Sequence, residues 1–130
     1  MKLTDKFKLI EIGNIEKKPR MLVSKHNIRF NKPLSEQMDY TEHVKIYLNQ
    51  EEQLLAIVPC VKNTIGATKF YKKENRKCKN PTWSNQRFIH LIEKINGWDL
   101  QKNSYGLYPG KLDEGGIYFD FSKAKVIPKT

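Results

Sequence analysis

The chain has little cysteine and no long apolar run, and each shortage excludes a class of protein. Cys60 and Cys78 are the only cysteines, and neither lies in a Cys-x-x-Cys pair or near a histidine at the spacing of a structural zinc site. The longest apolar run, Leu54 to Val58, is far shorter than a membrane span. The sequence therefore predicts no metal site and no membrane partner.

The first residues lack the apolar core of a secretory signal. Four charged side chains interrupt this segment: Lys2, Asp5, Lys6 and Lys8. Export is therefore not expected, and a cytoplasmic location is predicted. In that reducing compartment the two cysteines would be free thiols.

Size and composition predict a single folded domain that covers residues 1–130. A chain of 130 residues can bury one hydrophobic core but is too short for two domains of ordinary size. The apolar fraction is 38%, and fourteen aromatic residues supply large side chains for that core. Folding is therefore expected even though 29% of the residues are charged.

Periodicity places the chain in the α+β class, with antiparallel strands, one principal amphipathic helix and one short helix. The alternation from Val44 to Leu48, followed by the apolar run from Leu54 to Val58, predicts a hairpin whose second strand is buried. Pro33 marks the first turn of the short helix. The principal helix is predicted to begin at a Ser84 cap and to end before Gly97. Its apolar face consists of Phe88, Leu91, Ile92 and Ile95.

The same order of strand, short helix and hairpin is found twice along the chain. The two halves would be 21–60 and 68–127. A duplicated β-α-β-β unit would let each half cover the apolar faces of the other. The alternative is that any α+β chain of this length can be divided into two such strings.

No arrangement of residues carries a catalytic signature. His26, His43 and His90 are isolated from one another in the sequence, and no nucleophile with a suitable partner accompanies them. The glycines within 110–116 do not connect a strand to a helix as a phosphate-binding loop would, so they are interpreted as turn residues. The sequence therefore predicts a non-catalytic protein without a cofactor.

What the chain does have is positive charge. Its formal net charge is +10, with twenty lysines and four arginines. The segment from Lys62 to Lys79 contains seven cationic residues and the single acid Glu74. Because cationic side chains that neutralise phosphates release condensed counterions, such a cluster is typical of a protein that binds nucleic acid. The compositional alternative is that the excess of lysine reflects AT-rich coding.

The residues expected to contact nucleic acid lie in two basic segments. A lysine-rich arm, predicted to be a strand opening into a loop, and the start of the following helix supply Lys69, Lys72, Lys73, Arg76, Lys77, Lys79 and Arg87. A second basic loop adds Lys17, Lys18 and Arg20. Tyr71 and Trp83 are candidates for stacking on bases, although such rings in a small domain are more often part of the core. Because lysine lacks the fork of arginine, mainly backbone contacts are expected, to DNA or RNA.

Two other interpretations compete with nucleic-acid binding. The segment from Glu36 to Glu52 holds five acids and one lysine, and it would suit a basic protein partner. In that case the chain would inhibit a host nucleoprotein or defence enzyme through protein contacts. A small-ligand binder would instead place four aromatic residues around a pocket: Trp83, Trp98, Tyr105 and Tyr108.

Part of the chain resembles the AbrB-type swapped-hairpin DNA-binding domains. The likeness is in the order of strand, helix and hairpin: Ile28-Arg29-Phe30-Asn31, the helix with Leu34 and Met38, Val44 to Leu48, and Leu54 to Pro59. The Gly-Asp turn usual in that family is replaced by Tyr40-Thr41-Glu42-His43, and only Arg29 matches the arginines of its DNA face. The resemblance implies the topology of such a domain, with a tandem copy in one chain in place of the usual dimer.

As a whole, the chain is similar to small proteins of phages that infect low-GC Gram-positive bacteria. The similarity is in length, lysine-rich composition and the Gly97-Trp98-Asp99 turn after an amphipathic helix. It implies either a regulator that binds nucleic acid or an inhibitor of a host defence enzyme, such as an anti-CRISPR protein.

Overall fold

A computed structural model of the chain describes residues 1–7, 18–74 and 77–129, and for 73, 74 and 77–79 it describes the backbone alone. The described residues form antiparallel strands with one principal helix and one short helix, so the predicted α+β class is confirmed. In chain order, the elements are β1 (Met21–Val23), β2 (Ile28–Phe30), α1 (Lys32–Gln37), β3 (His43–Asn49), β4 (Leu54–Pro59), β5 (Thr68–Lys69), β6 (Lys72–Glu74), β7 (Lys77–Lys79), β8 (Thr82–Trp83), α2 (Gln86–Asn96), β9 (Asn103–Leu107), β10 (Gly110–Lys111), β11 (Ile117–Asp120), a 3₁₀ turn (Phe121–Lys123) and β12 (Lys125–Pro128).

Two antiparallel sheets share one hydrophobic core. The first sheet has the strand order β12-β9-β1-β2-β8, and the second has the order β10-β11-β4-β3-β5. Alternation along the strands separates their two faces, so that Met21 and Val23 are buried while Leu22 between them is only half-buried. Leu55 and Ile57 of the second sheet belong to the same core cluster as these residues. The sheets and helices therefore pack around a common interior.

The principal helix begins one residue later than predicted. Asn85, rather than Ser84, is the N-cap residue, and its side-chain oxygen accepts a hydrogen bond of 3.1 Å from the backbone N–H of Phe88. The helix ends as predicted at Gly97, whose φ of 64° is in the left-handed region that favours glycine.

The buried face of α2 also differs from the predicted one. Ile89 and Ile92 are fully buried, whereas Leu91 is 38% exposed. Phe88 and Ile95 are partly buried against the core. The predicted set was wrong at Leu91, because a spacing of three or four residues does not distinguish the centre of an apolar stripe from its edge.

The lysine-rich arm is a two-stranded hairpin rather than a loop. β6 and β7 pair with each other, with Lys72 opposite Lys79 and Glu74 opposite Lys77. Strand prediction depends on alternating apolar residues, and this segment has almost none. The sequence pattern therefore could not reveal this pairing.

The strand connections do not reproduce a repeated β-α-β-β unit. The strands that follow α1, β3 and β4, are neighbours in the second sheet. Of the strands that follow α2, β9 lies in the first sheet and β11 in the second. The segments 21–60 and 68–127 therefore have a similar order of elements but different arrangements in space.

Asp120 caps the 3₁₀ turn between β11 and β12. Its carboxylate accepts hydrogen bonds from the hydroxyl of Ser122 (2.6 Å) and from the backbone N–H of Ser122 (3.0 Å). The hydrogen bond from the Ser122 side chain is the main cause that holds the pKa of Asp120 below its ordinary value of 3.8. Because this pKa is lower in the folded chain than in the unfolded chain, the carboxylate stabilises the fold above pH 3.8, and that stabilisation is lost as the pH falls through the folded pKa.

Replacing Asp120 by alanine is therefore expected to lower the melting temperature at about pH 7 and to have a smaller effect at about pH 2. Thermal denaturation of the wild-type chain and Asp120→Ala at both pH values measures the difference. Ser122→Ala is the control, because it removes the hydroxyl and keeps the backbone donor, so its pH-dependent loss should be smaller. If Asp120→Ala lowered the melting temperature by the same amount at both pH values, the ionised carboxylate would not be the source of this stabilisation.

Candidate nucleic-acid interface

The outer face of the first sheet carries a row of aligned residues, one from each strand. The register places Lys125, Gly106, Leu22, Arg29 and Thr82 side by side. With neighbouring strands about 4.8 Å apart, this row is roughly 19 Å long. Lys125, Arg29 and Thr82 are exposed. The row thus holds two cations and, among these five described residues, no acid.

Arg20 and Arg29 border a cleft of about 240 Å³ on this face. The other residues that line it are Leu22, Phe30, Asn31, Asn80 and Thr82. Asn80 directly follows β7 of the lysine-rich hairpin, whereas Arg20 belongs to the second basic segment. The structure therefore brings the ends of the two basic segments together at one cleft.

Asn31 holds the second basic segment beside this cleft. Its side-chain oxygen accepts a hydrogen bond of 2.9 Å from the backbone N–H of Arg20, and its amide nitrogen donates one of 2.8 Å to the carbonyl oxygen of Lys18. The same side-chain oxygen caps α1 by accepting a hydrogen bond of 3.2 Å from the N–H of Leu34. One side chain therefore fixes Lys18 and Arg20 relative to β2 and α1.

Buried aromatic rings anchor the base of the hairpin. Phe70 and Tyr71 directly precede β6, and only 2% and 8% of their surfaces are exposed. The ring of Phe30 lies 5.0 Å from that of Phe70 and 4.8 Å from that of Trp83, centroid to centroid. The indole N–H of Trp83 donates a hydrogen bond of 3.1 Å to the carbonyl oxygen of Lys69. The base of the hairpin is therefore held between β5, an edge strand of the second sheet, and β8, an edge strand of the first.

The burial of Tyr71 and Trp83 contradicts the prediction that these rings stack on bases. Trp83 is 9% exposed, and the ring of Tyr71 packs against that of Tyr40 at a centroid distance of 5.0 Å. Neither ring is presented to solvent, so neither offers a face to a base. The aromatic residues among the lysines instead attach the hairpin to the core.

The structure describes the predicted phosphate contacts only in part. Lys18, Lys69 and Lys72 are exposed, and Arg20 is partly buried. Outside the described residues lie Lys17 and Arg76, and outside the described side chains lie those of Lys73, Lys77 and Lys79. For most of the hairpin lysines, the structure therefore gives the backbone pairing of β6 with β7 and not the position of the side chain.

Arg87 is not brought to the cleft. It is exposed in the first turn of α2, where the neighbouring Gln86 donates a hydrogen bond of 3.0 Å to the carbonyl oxygen of His26. His26 precedes β2, whereas Asn31 at the cleft follows it. Arg87 thus lies toward the opposite end of this strand.

Three further residues of this face carry no sequence signal of their own: Asn80, Thr82 and Lys125. A fourth, Tyr108, was predicted only as part of a small-ligand pocket. The ammonium group of Lys125 lies 5.2 Å from the centroid of the Tyr108 ring. Lys125 lies in β12, and Tyr108 directly follows β9, the strand that pairs with β12 in the first sheet. Only knowledge of that pairing would have grouped them with Arg20.

The features behind the two competing interpretations are not assembled on one surface. Glu42 directly precedes β3 and Glu51 follows it, so a strand of about 20 Å separates these acids. The four candidate pocket aromatics are also divided. Trp98 stacks on Tyr105 at a centroid distance of 4.1 Å, whereas Tyr108 lies on the outer face under Lys125.

Within residues 1–7, 18–74 and 77–129, no group of three or more His, Cys, Asp or Glu side chains is placed to hold a metal ion. None of the described helices has the length and apolar character of a transmembrane segment. No protein-family model matches the chain, and no curated protein or solved structure is significantly similar to it.

Proposed function

We propose that this protein binds nucleic acid, without catalysing a reaction, through the lysine-rich hairpin and the outer face of the first sheet. The observation that supports this most directly is the shared cleft. Arg20 and Arg29 line it together with Asn80, the residue that follows the hairpin. Two basic segments that are distant in the sequence thus contribute to one surface.

Phosphate groups suit this surface because of its charge. The chain has a net charge of +10, and the described residues that line the cleft include two arginines and no acid. Each phosphate that such side chains neutralise releases condensed counterions, so binding is favourable at low salt and weakens as salt rises. Contacts of this kind position a protein on nucleic acid and do not read its sequence.

The cleft and the hairpin are expected to contribute differently. The guanidinium group of Arg29 can donate two parallel hydrogen bonds to a phosphate or a base edge, which a lysine cannot do. The amide of Asn80 and the hydroxyl of Thr82 add further hydrogen-bonding groups to the cleft. The lysines of the hairpin therefore supply most of the affinity, and the cleft orients the bound strand.

Gel-shift titrations over a range of salt concentrations test the proposal. The purified protein is expected to retain DNA or RNA at low salt, with a slope of log K against log salt of about −0.9 per neutralised phosphate on duplex DNA. Arg29→Ala removes one charged hydrogen-bond donor, so affinity should fall by about tenfold and the slope should become shallower by about 0.9.

Lys94→Ala is the matched control for this variant. Lys94 is an exposed cation in the last turn of α2 and does not line the cleft, and its loss changes the net charge equally. Its affinity and salt slope should remain those of the wild-type chain. Failure of the wild-type protein to shift DNA or RNA at low salt would refute the proposal.

A further inference from the structure

Tyr108 is an exposed aromatic ring on the basic outer face of the first sheet. It follows Leu107, the last residue of β9, and 46% of its surface is exposed. Because Leu107 is buried on the inner face, the alternation of the strand directs Tyr108 to the outer face. The Lys125 ammonium group, 5.2 Å from the ring centroid, comes from the neighbouring strand on that same face.

Gly106 is buried beneath the side chains that lie beside this ring. It occupies the second position of the aligned row, next to Lys125 and two residues before Tyr108. A Cβ atom at this position would lie 3.6 Å from Cδ1 of Ile127 and 3.8 Å from Cδ of Arg20. The aliphatic part of Arg20 and the side chain of Ile127 therefore cover Gly106 and form the surface next to the ring.

We infer that this surface binds a single strand of DNA or RNA, with one base stacked on the ring of Tyr108. The inference rests on the proposed function and specifies its ligand class. Every base has a π face, so an exposed aromatic ring can stack on any base of a single strand. In a duplex those faces are covered by neighbouring base pairs, and the ring would gain nothing from them.

The cations around Tyr108 lie along a path across the sheet. Lys125 and Arg29 are three strand spacings apart in the aligned row, which is about 14 Å. Tyr108 directly follows β9 and Arg20 directly precedes β1, the two strands between them. A nucleic-acid backbone running from β12 toward β8 would meet these residues in turn and then reach the lysine-rich hairpin. On binding, the ammonium group of Lys125 leaves the ring of Tyr108 and contacts a phosphate instead.

The tyrosines on the outer face of the second sheet are not aligned with cations in this way. Tyr47 and Tyr118 flank Ala56 in one row of its outer face. That row contains no cation among its described residues, and the ring of Tyr118 covers Gly110. Tyr47, which is 53% exposed, therefore provides a matched aromatic control.

Fluorescence anisotropy tests the inference with three labelled probes at one low salt concentration: oligothymidine, oligouridine and a DNA duplex of the same length. Stacking on an aromatic residue strengthens binding of a base by roughly 5- to 100-fold, so Tyr108→Ala should weaken single-strand binding by that factor and leave duplex binding unchanged. Tyr108→Phe keeps the ring and should bind within about twofold of the wild type. Tyr47→Ala should change neither affinity.

A crosslink gives an independent readout of position. Irradiation of a bromouracil-substituted single strand should attach it to the peptide that contains Tyr108. If Tyr108→Ala binds single strands as tightly as the wild type, or if duplex binds more tightly than either single strand, the single-strand inference is wrong while the proposed function stands. If none of the three probes binds, both are wrong.

Discussion

Reversing four charges in the lysine-rich hairpin is expected to abolish the binding of nucleic acid. The variant combines Lys72→Glu, Lys73→Glu, Arg76→Glu and Lys77→Glu. Each substitution removes one potential phosphate contact and adds one repulsion, so affinity at low salt should fall at least about 100-fold. The slope of log K against log salt should become shallower by about 3 to 4, which a gel-shift series measures directly.

The control for this variant reverses the same number of charges elsewhere. Four lysines outside the hairpin and the cleft serve for this purpose: Lys45, Lys94, Lys102 and Lys111. Because long-range attraction depends on net charge, this control should bind somewhat more weakly than the wild type, but by far less than the hairpin variant. Equal losses in the two variants would show that net charge, and not the hairpin, determines affinity.

Replacing Phe30 by alanine is expected to be the most destabilising single change near the interface. Phe30 is 1% exposed, and its ring contacts those of Phe70 and Trp83 at the base of the hairpin. Removing a buried phenyl ring costs about 3 to 5 kcal/mol in the free energy of unfolding, because apolar contacts are lost and a cavity is left. This is a large part of the total stability of a small domain, which is about 5 to 15 kcal/mol.

Urea denaturation followed by Trp fluorescence measures this loss. Leu91→Ala is the control, because Leu91 is partly exposed on α2 and its replacement should cost about 0.5 kcal/mol or less. The hairpin base should loosen in Phe30→Ala, so nucleic-acid affinity is expected to fall with stability. A loss of less than about 1 kcal/mol would mean that the Phe30 cluster does not anchor this region.

The parts of the fold that could be predicted from sequence are those with local signals. The alternation after Val44 and the apolar run before Pro59 predict the β3–β4 hairpin, which the structure has at His43–Asn49 and Leu54–Pro59. The glycine at position 97 predicts the end of α2, because few other residues adopt its φ of 64°. Each of these signals depends on residues within a few positions of one another.

The candidate interface depends on pairings that no local pattern encodes. Arg20 and Lys125 share a face only because β1 and β12 both pair with β9. The burial of Tyr71 and Trp83 was equally hidden, since an aromatic residue between lysines has the same local pattern at the surface and in the core. The basic segments could be found from composition, but their meeting at a cleft could not.

The position of β9 between β1 and β12 also determines when the first sheet can form during synthesis of the chain. Joining segments that are far apart along a chain costs loop-closure entropy before any contact compensates for it, so such pairings form slowly. The β3–β4 hairpin needs only neighbouring residues and can form early during translation. The first sheet is complete only after Pro128 has been synthesised, so a ribosome-bound nascent chain carries its lysines well before it has a surface on which to use them.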